Sequence, residues 1–201
     1  MRSVFFTGLL ATLAIASPIA VVEKRGAANI AAALDNVSAN IKTVNSTLST
    51  FNKGDLDSLI KVLKIQQQTK DLGESLKTAT SAAEASEPLD DAGSLTIGLA
   101  ILNDLLPDTT SLLTKIESKK PAFDAAVLGI ASVSATVKKS LVEQKQQSAE
   151  LGQAITAKLT PAFANLAPGI NQQIADKFTE AINIYSQPGG LIPLPALPFK
   201  E

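Results

Sequence analysis

Apolar residues recur along most of the chain at alternating steps of three and four positions. The first run lies between residues 30 and 51, and its members are Ile30, Leu34, Val37, Ile41, Val44, Leu48 and Phe51. This spacing places all of these side chains on one face of an α-helix. Mostly Ser, Thr, Asn, Lys and Ala stand between them, so the opposite face is polar. Because other helices must cover the apolar face, the pattern predicts a helical bundle.

The same pattern returns four more times, which predicts a single all-α domain of about five long amphipathic helices. Turns that contain glycine or proline separate the helices. The expected helices span residues 28–52, 55–85, 89–118, 121–157 and 161–186. The resulting bundle domain covers residues 26–187.

The third helix contains a proline in its interior. Its predicted buried face consists of Ala92, Leu95, Leu99, Leu102, Leu106, Thr109, Leu113 and Ile116. Pro107 lies within this run, has no N–H to donate and collides with the preceding turn of a helix. We therefore expect the third helix to be kinked at Pro107, near Leu105.

The N-terminus has the pattern of a secretory signal peptide. Arg2 precedes a short apolar run, and small residues at positions 14 and 16 suit cleavage after Ala16. The run is too short for a transmembrane helix, so we expect residues 1–16 to be removed. A buried N-terminal helix is the alternative interpretation. Secretion predicts an extracellular or cell-wall-associated protein with no transmembrane segment.

A short propeptide is expected to follow the signal peptide. Residues 17–25 end in Lys24 and Arg25, a dibasic pair that kexin-type proteases cleave. The mature chain would then begin at Gly26.

Composition excludes several kinds of chemistry. The 201 residues include no cysteine, no histidine and no tryptophan, so Cys–His and Ser–His–Asp catalysis and the usual zinc and iron sites are not expected. The acidic residues fall off the apolar faces, where carboxylates make poor general acids at neutral pH. We expect no enzyme activity and no cofactor. The formal net charge is −1, and the evenly spread acidic excess argues against nucleic acid and anionic membranes as partners.

Two Asn-x-Ser/Thr sequons lie in the first helix, at Asn36 and Asn45. Both asparagines fall between the apolar positions, on the face that is expected to be exposed. In a secreted chain they are candidates for N-glycosylation.

The C-terminal segment 188–201 is rich in proline and unusually apolar. Proline at this density favours an extended conformation over a helix. The candidate surface-contact residues are Leu191, Ile192, Leu194, Leu197 and Phe199. Two interpretations remain open for this tail: a lid or sticky contact for a hydrophobic surface, or a terminus without function.

Four glycines occur inside predicted helices, at Gly73, Gly98, Gly129 and Gly152. Glycine costs about 1 kcal/mol relative to alanine in a helix. Either the helices approach closely at these points, or the interior leaves room for an elongated apolar ligand.

Several of these features together resemble the fungal hydrophobic-surface-binding protein A family, which includes cell-wall galactomannoproteins. The resemblance rests on the signal peptide, the dibasic site, the cysteine-free helices, the stretch LAILNDLLPDTT at residues 99–110 and KKPAFD at residues 119–124. It implies a secreted helical bundle that binds hydrophobic surfaces, with relatives that carry fatty acids or recruit secreted esterases. It carries no catalytic residues over to this chain. The alternative is a structural cell-wall mannoprotein without lipid binding.

Two mechanisms would explain such binding. In the first, a fatty acid enters a tunnel between the helices, and each buried methylene contributes about 0.8 kcal/mol. In the second, the helices spread on an apolar surface. The candidate tunnel residues are Leu34, Ile41, Leu63, Leu102, Ile130, Val137, Ile174 and Phe178.

Overall fold

The computed structural model describes residues 19–126, 131–189 and 192–193. The described part is an all-α bundle. Its helices are α1 Ile19–Ser49, α2 Ser58–Glu84, α3 Asp91–Ala100, α4 Leu106–Ser118, α5 Lys120–Asp124, α6 Ser134–Thr156, α7 Pro161–Ala164 and α8 Ala167–Ser186. A π-helical turn, Ile101–Leu105, joins α3 to α4. Two short strands, β1 Ala131–Ser132 and β2 Ile192–Pro193, pair in parallel.

The long helices form a closed ring around one core. Helix α1 packs against α2, α2 against α6, α6 against α8, α8 against α4, and α4 returns to α1. All members of the first apolar run, from Ile30 to Phe51, are buried, which confirms the pattern that predicted the bundle. Within the described residues, no helix is both long enough and apolar enough to cross a membrane.

The fourth predicted helix is shorter than expected, because the chain turns back at Asp124. Its carboxylate accepts hydrogen bonds from Ser132 (2.9 Å) and Ser134 (2.5 Å) and forms an ion pair with Lys120 (2.6 Å). Such side-chain bonds offer the backbone an alternative to a helix. The long helix therefore begins at Ser134 instead of residue 121.

The first and last helices also differ from prediction at their ends. Helix α1 begins at Ile19, nine residues before the expected start, so Lys24 and Arg25 lie within it. The last helix is split into α7 and α8, because Pro168 suits the first turn of a new helix.

The third helix is continuous through Pro107, and the expected kink is a widened turn. The N–H of Leu106 bonds to the carbonyl of Ile101, five residues back, as in a π-helix. The proline that follows has no N–H and needs more room than an α-helical turn allows. The π-helical turn supplies that room without ending the helix.

The π-helical turn also changes which side chains of α3 are buried. Beyond the turn, Thr109, Leu113 and Ile116 are buried as predicted. Before it, Ser94 and Ile97 are buried instead of the expected leucines. The leucines are about half exposed: Leu95 (49%), Leu99 (47%) and Leu102 (48%). The prediction for α3 was wrong because the wide turn holds one extra residue and rotates the helix before it.

Candidate functional site

Three apolar cavities lie in a row between the helices, and we call them the inner, middle and outer cavities. Their volumes are about 40, 50 and 110 Å³. The inner cavity lies among α1, α2, α4 and α6 and ends at Phe123 and Val133. The middle cavity is lined by apolar residues that include Ile41, Leu105, Leu113, Leu151, Ile174 and Phe178.

Neighbouring cavities share wall residues. Leu72, Leu112 and Gln144 line both the inner and the middle cavity. Four residues line both the middle and the outer cavity: Ile101, Gly152, Ile155 and Asn171. Helix α6 runs beside all three, and its stretch from residue 136 to residue 155 is roughly 28 Å long at about 1.5 Å per residue. The cavities therefore mark one elongated apolar path through the bundle.

The outer cavity opens at the surface between α3, α7 and α8. Its rim contains the leucines that the π-helical turn leaves exposed, Leu95, Leu99 and Leu102, together with Leu166, which is 67% exposed. Phe163 and Ile170 form its floor as partly buried side chains. An exposed apolar rim of this kind commonly marks a binding site.

A groove of about 320 Å³ with a mixed polar and apolar lining lies beside the apolar path, between α6 and α8, and we call it the polar groove after its lysine and amide side chains. Its walls include Lys145, Gln153 and Gln172, and no carboxylate lines it. The ammonium of Lys145 donates a hydrogen bond to Thr179 Oγ1 (2.7 Å). Asn171 lines this groove and also the middle and outer cavities. Ser148 and Ile174 also line both the groove and the middle cavity, so the two parts of the site meet at these three residues.

Glycines create the space that the polar side chains of α6 and α8 occupy. A Cβ at Gly152 would lie 2.5 Å from Asn171 Oδ1, and a Cβ at Gly73 would lie 3.1 Å from Gln147 Oε1. At Gly98, a Cβ would meet Phe163 at 3.8 Å, an ordinary contact. Gly73 and Gly152 thus each leave room for the side-chain amide of a neighbouring helix. Gly98 lies at the outer cavity.

The cavities are smaller than a long acyl chain. The largest, at about 110 Å³, is below the roughly 150 Å³ of an engineered protein cavity that holds benzene. Side chains or helices therefore have to move before the path can hold an elongated molecule. The contact between α2 and α6 contains a buried polar side chain, Gln144, which donates to the carbonyl of Thr69 at 3.2 Å.

A model of the hydrophobic surface binding protein A family matches residues 27–157. The chain belongs to this family. No curated protein matches the chain in sequence.

Solved structures with the same fold were crystallised with fatty acids. Afmp4p in complex with palmitic acid has 27% sequence identity and a TM-score of 0.72, with 79% of this chain and 99% of that chain covered. Ligand-binding domain 1 of Penicillium marneffei MP1 protein, complexed with arachidonic acids, has 14% identity and a TM-score of 0.67, covering 77% and 95%. Domain 2 of MP1, also complexed with arachidonic acids, has 13% identity and a TM-score of 0.69, covering 79% and 95%. The two MP1 domains support the fold alone.

Five of the eight tunnel residues predicted from the sequence line the cavities. Ile41, Ile174 and Phe178 line the middle cavity, Val137 lines the inner cavity and Leu102 the rim of the outer one. The remaining three lie elsewhere. Leu34 is buried away from the cavity walls, Leu63 is 53% exposed on the outside of α2, and Ile130 lies outside the described residues. Leu63 differs because the apolar pattern of α2 drifts and its inner face is formed by Val62 and Ile65.

Sequence reasoning did not select the polar members of the site. Gln144 and Ser148 stand on the apolar face predicted for the fourth helix, and that interruption was the available signal. For Asn171 the sequence offers no comparable signal, because its importance depends on how α8 lies against Gly152.

The titratable groups with shifted pKa lie away from the cavities. Burial raises the pKa of Glu117, reinforced by Glu180. Burial also raises the pKa of Tyr185, whose hydroxyl donates to the carbonyl of Ile116 (2.7 Å) and stays protonated. Among the described residues, no cluster of His, Cys, Asp and Glu could hold a metal ion.

The predicted glycosylation sites differ in accessibility. Asn36 is exposed, whereas Asn45 is half-buried and donates a hydrogen bond to Ser111 Oγ (3.1 Å). The geometry favours Asn36 as the glycan acceptor, and both sites stay predictions.

Most of the suggested surface-contact residues in the tail lie outside the described residues: Leu191, Leu194, Leu197 and Phe199. Ile192 lies in β2, where it is paired with Ala131. The signal peptide and the cleavage site at Ala16 also lie outside the described part.

Proposed function

We propose that this protein binds a long-chain fatty acid inside the bundle, with the hydrocarbon chain in the inner, middle and outer cavities. The observation that carries the proposal is the row of three apolar cavities that share wall residues. Family membership and the likeness to Afmp4p, whose structure contains palmitic acid, support the same ligand class. An internal site is favoured over spreading of the helices, because the apolar path is already present in the closed bundle.

The carboxylate of the ligand lies in the polar groove in this proposal. Lys145 supplies a positive charge there, and the Asn171 amide can donate a hydrogen bond at the entrance to the apolar path. A carboxylate would be costly inside the dry cavities. The acid group therefore stays in the groove while the chain passes Asn171.

Opening the path has a cost that limits affinity. Each methylene transferred from water contributes about 0.8 kcal/mol, but the side chains that fill the path must first rearrange. Long acyl chains offset this cost better than short ones, so affinity should rise with chain length.

The test is a titration of the protein with palmitic acid and with its neutral methyl ester. Wild type should form a saturable one-to-one complex and bind the acid about tenfold more tightly, as expected for a partly exposed charge pair with hydrogen bonds. Lys145→Met should lose most of this preference and keep its affinity for the ester. Lys138→Met is the matched control, because Lys138 lies two helical turns earlier on α6, outside the groove.

The outcomes separate the two parts of the proposal. If wild type binds neither compound but coats hydrophobic beads, the internal site is wrong and spreading of the helices explains the family's surface binding. If wild type binds the acid and Lys145→Met keeps the full preference, the carboxylate lies elsewhere. If wild type binds neither compound and does not coat hydrophobic beads, the protein is better explained as a structural wall component.

Secretion, a cell-wall location and recruitment of a secreted esterase belong to the same proposal. A protein that holds an acyl chain suits an extracellular environment in which apolar substrates are handled. The family membership supports this setting. Mass spectrometry of the secreted protein would test the mature N-terminus at Gly26, the glycans and any lipid that copurifies.

A further inference from the structure

A second exposed apolar surface lies at the start of α2, and we call it the α2 patch. It consists of Leu56 (107% exposed), Leu59 (54%), Ile60 (70%) and Leu63 (53%). Leu59, Ile60 and Leu63 share one face at the start of α2, and Leu56 lies in the turn just before the helix. Four large aliphatic side chains in this short stretch are more than the scattered exposed residues of an ordinary surface.

The α2 patch is separate from the mouth of the outer cavity. The turn before α2 is bonded to the α4–α5 junction, where Lys119 donates to Asn52 Oδ1 (3.0 Å). The mouth lies where α3, α7 and α8 meet. None of the patch residues lines any of the three cavities, so the cavities do not explain why these side chains are exposed.

The charges around the α2 patch are positive on balance, although the whole chain is slightly acidic. Asp55 and Asp57 are both paired with Lys61, at 2.7 and 3.1 Å. Lys53 and Lys64 are exposed and have no ion-pair partner among the described residues. The acidic excess that argued against anionic membranes is therefore absent at this place.

The other side of the same short stretch faces the fatty-acid path. Val62 and Ile65 line the inner cavity, while Ile60 and Leu63 point outward. The start of the helix is tied to the preceding turn by Lys61, which bonds to Asp55, Asp57 and the carbonyl of Thr50. A surface that engages the α2 patch would therefore act directly on a wall of the inner cavity.

We propose that the α2 patch docks on an anionic lipid bilayer, with its four aliphatic side chains in the interface and Lys53 and Lys64 at the headgroups. Amphipathic helices bind membranes through this combination of apolar burial and attraction to anionic lipid. Each lysine near such a surface adds to the attraction, and salt weakens it. Docking goes beyond fatty-acid binding, because it would bring the protein to a lipid source.

The test is flotation of the full chain with vesicles of phosphatidylcholine and phosphatidylglycerol. Leu56→Ser with Ile60→Ser should weaken vesicle binding at least about tenfold, because two large apolar side chains no longer enter the interface. Lys53→Gln with Lys64→Gln should remove the preference for anionic over pure phosphatidylcholine vesicles. The control is Val142→Ser, which changes another exposed aliphatic side chain (48%), on α6 and outside the patch.

Each outcome decides for or against docking. Loss of binding in the α2 variants, with unchanged helix content and unchanged affinity for dissolved palmitic acid, supports the proposal. If Leu95→Ser with Leu99→Ser abolishes vesicle binding and the α2 variants do not, the mouth is the docking surface and the proposal is wrong. It is also wrong if wild type binds only hydrophobic polymer beads, or if the patch proves to join two copies of the chain. If only fatty-acid binding fails, vesicle binding can still be measured. That failure counts against the proposed fatty-acid site and not against docking.

Discussion

At the scale of single residues, Asp124 shows how one carboxylate redirects the chain. Burial raises the pKa of Asp124, but hydrogen bonds from Lys120, Ser134 and Ser132 outweigh it and hold the pKa below the ordinary value of 3.8. A carboxyl group with a lowered folded-state pKa stabilises the fold above its ordinary pKa. That contribution is lost as the pH falls through the folded-state value.

Asp124→Asn should therefore destabilise the protein by about 1.5 to 3 kcal/mol at pH 7, the range for hydrogen bonds to a charged group. Below pH 3.8 the difference from wild type should shrink, because the wild-type carboxylate is then protonated as well. Urea denaturation at several pH values measures both effects. The control is Asp176→Asn, an exposed carboxylate on α8 that is bonded only to Gln172 at 2.7 Å. A difference that stays constant from pH 7 to pH 2 would contradict this account.

The apolar spacing predicted the buried face between Ile30 and Phe51, and all seven members of that run are buried. The same reasoning missed the turn at Asp124. The helical spacing continues through residues 121–130. The hydrogen bonds that interrupt the helix come to Asp124 from Ser132 and Ser134, eight and ten residues further along the chain. Local spacing carries no information about such a return of the chain.

At the scale of elements, the helical glycines separate two kinds of helix contact. Gly98 has room for a methyl group, since a Cβ would meet Phe163 at 3.8 Å. Gly152 has none unless Asn171 moves, because the corresponding distance is 2.5 Å. Both glycines line the outer cavity, but at Gly152 the Asn171 side chain already occupies the place of a Cβ, whereas at Gly98 that place is open.

Gly98→Ala should stabilise the protein by about 1 kcal/mol, the usual gain of alanine over glycine in a helix. Gly152→Ala should gain less or lose stability, because the same propensity term is offset by displacement of the Asn171 amide. Chemical denaturation of the two variants side by side measures the contrast. Equal gains in both would show that Asn171 is free to leave the junction.

The predicted bundle of long helices is confirmed, but the face of α3 was not predictable from spacing alone. The sequence marked Pro107 as a disturbance and could not distinguish a kink from a π-helical turn. Only the turn preserves the helix and rotates Leu95, Leu99 and Leu102 toward solvent. Part of the candidate site is therefore made of residues that the pattern assigned to the core.

At the scale of the whole molecule, the candidate site is a property of the helices packed together, since no single helix forms it. The apolar character of the path follows from the sequence, because its walls come from the predicted apolar faces. Its position does not, since the cavities are the space left over after packing. Leu63 illustrates the limit: it fits the pattern of α2 but lies outside the path.

Ligand binding should couple to the stability of the whole bundle. A fatty acid at a free concentration one hundred times its Kd stabilises the folded state by about 2.7 kcal/mol. For a domain of this size, that corresponds to a rise in Tm of about 5 to 10 °C. Calorimetry with palmitic acid below its critical micelle concentration measures the shift, and octanoic acid serves as the short-chain comparison. A fall in Tm on adding palmitic acid would indicate that lipid unfolds the bundle.

The π-helical turn has a consequence for how this surface can change. One backbone hydrogen bond, from Leu106 to Ile101, sets the rotational phase of everything before it in the third helix. If this turn tightened to an ordinary α-helical turn with every residue kept, α3 would rotate by about 100°. The three leucines would then close into the core, and Ser94 and Ile97 would leave it. Deleting one residue from the turn would instead remove the extra residue and keep α3 in its present orientation, with the leucines still at the surface. The span of this one hydrogen bond thus decides whether this end of the bundle is open or sealed.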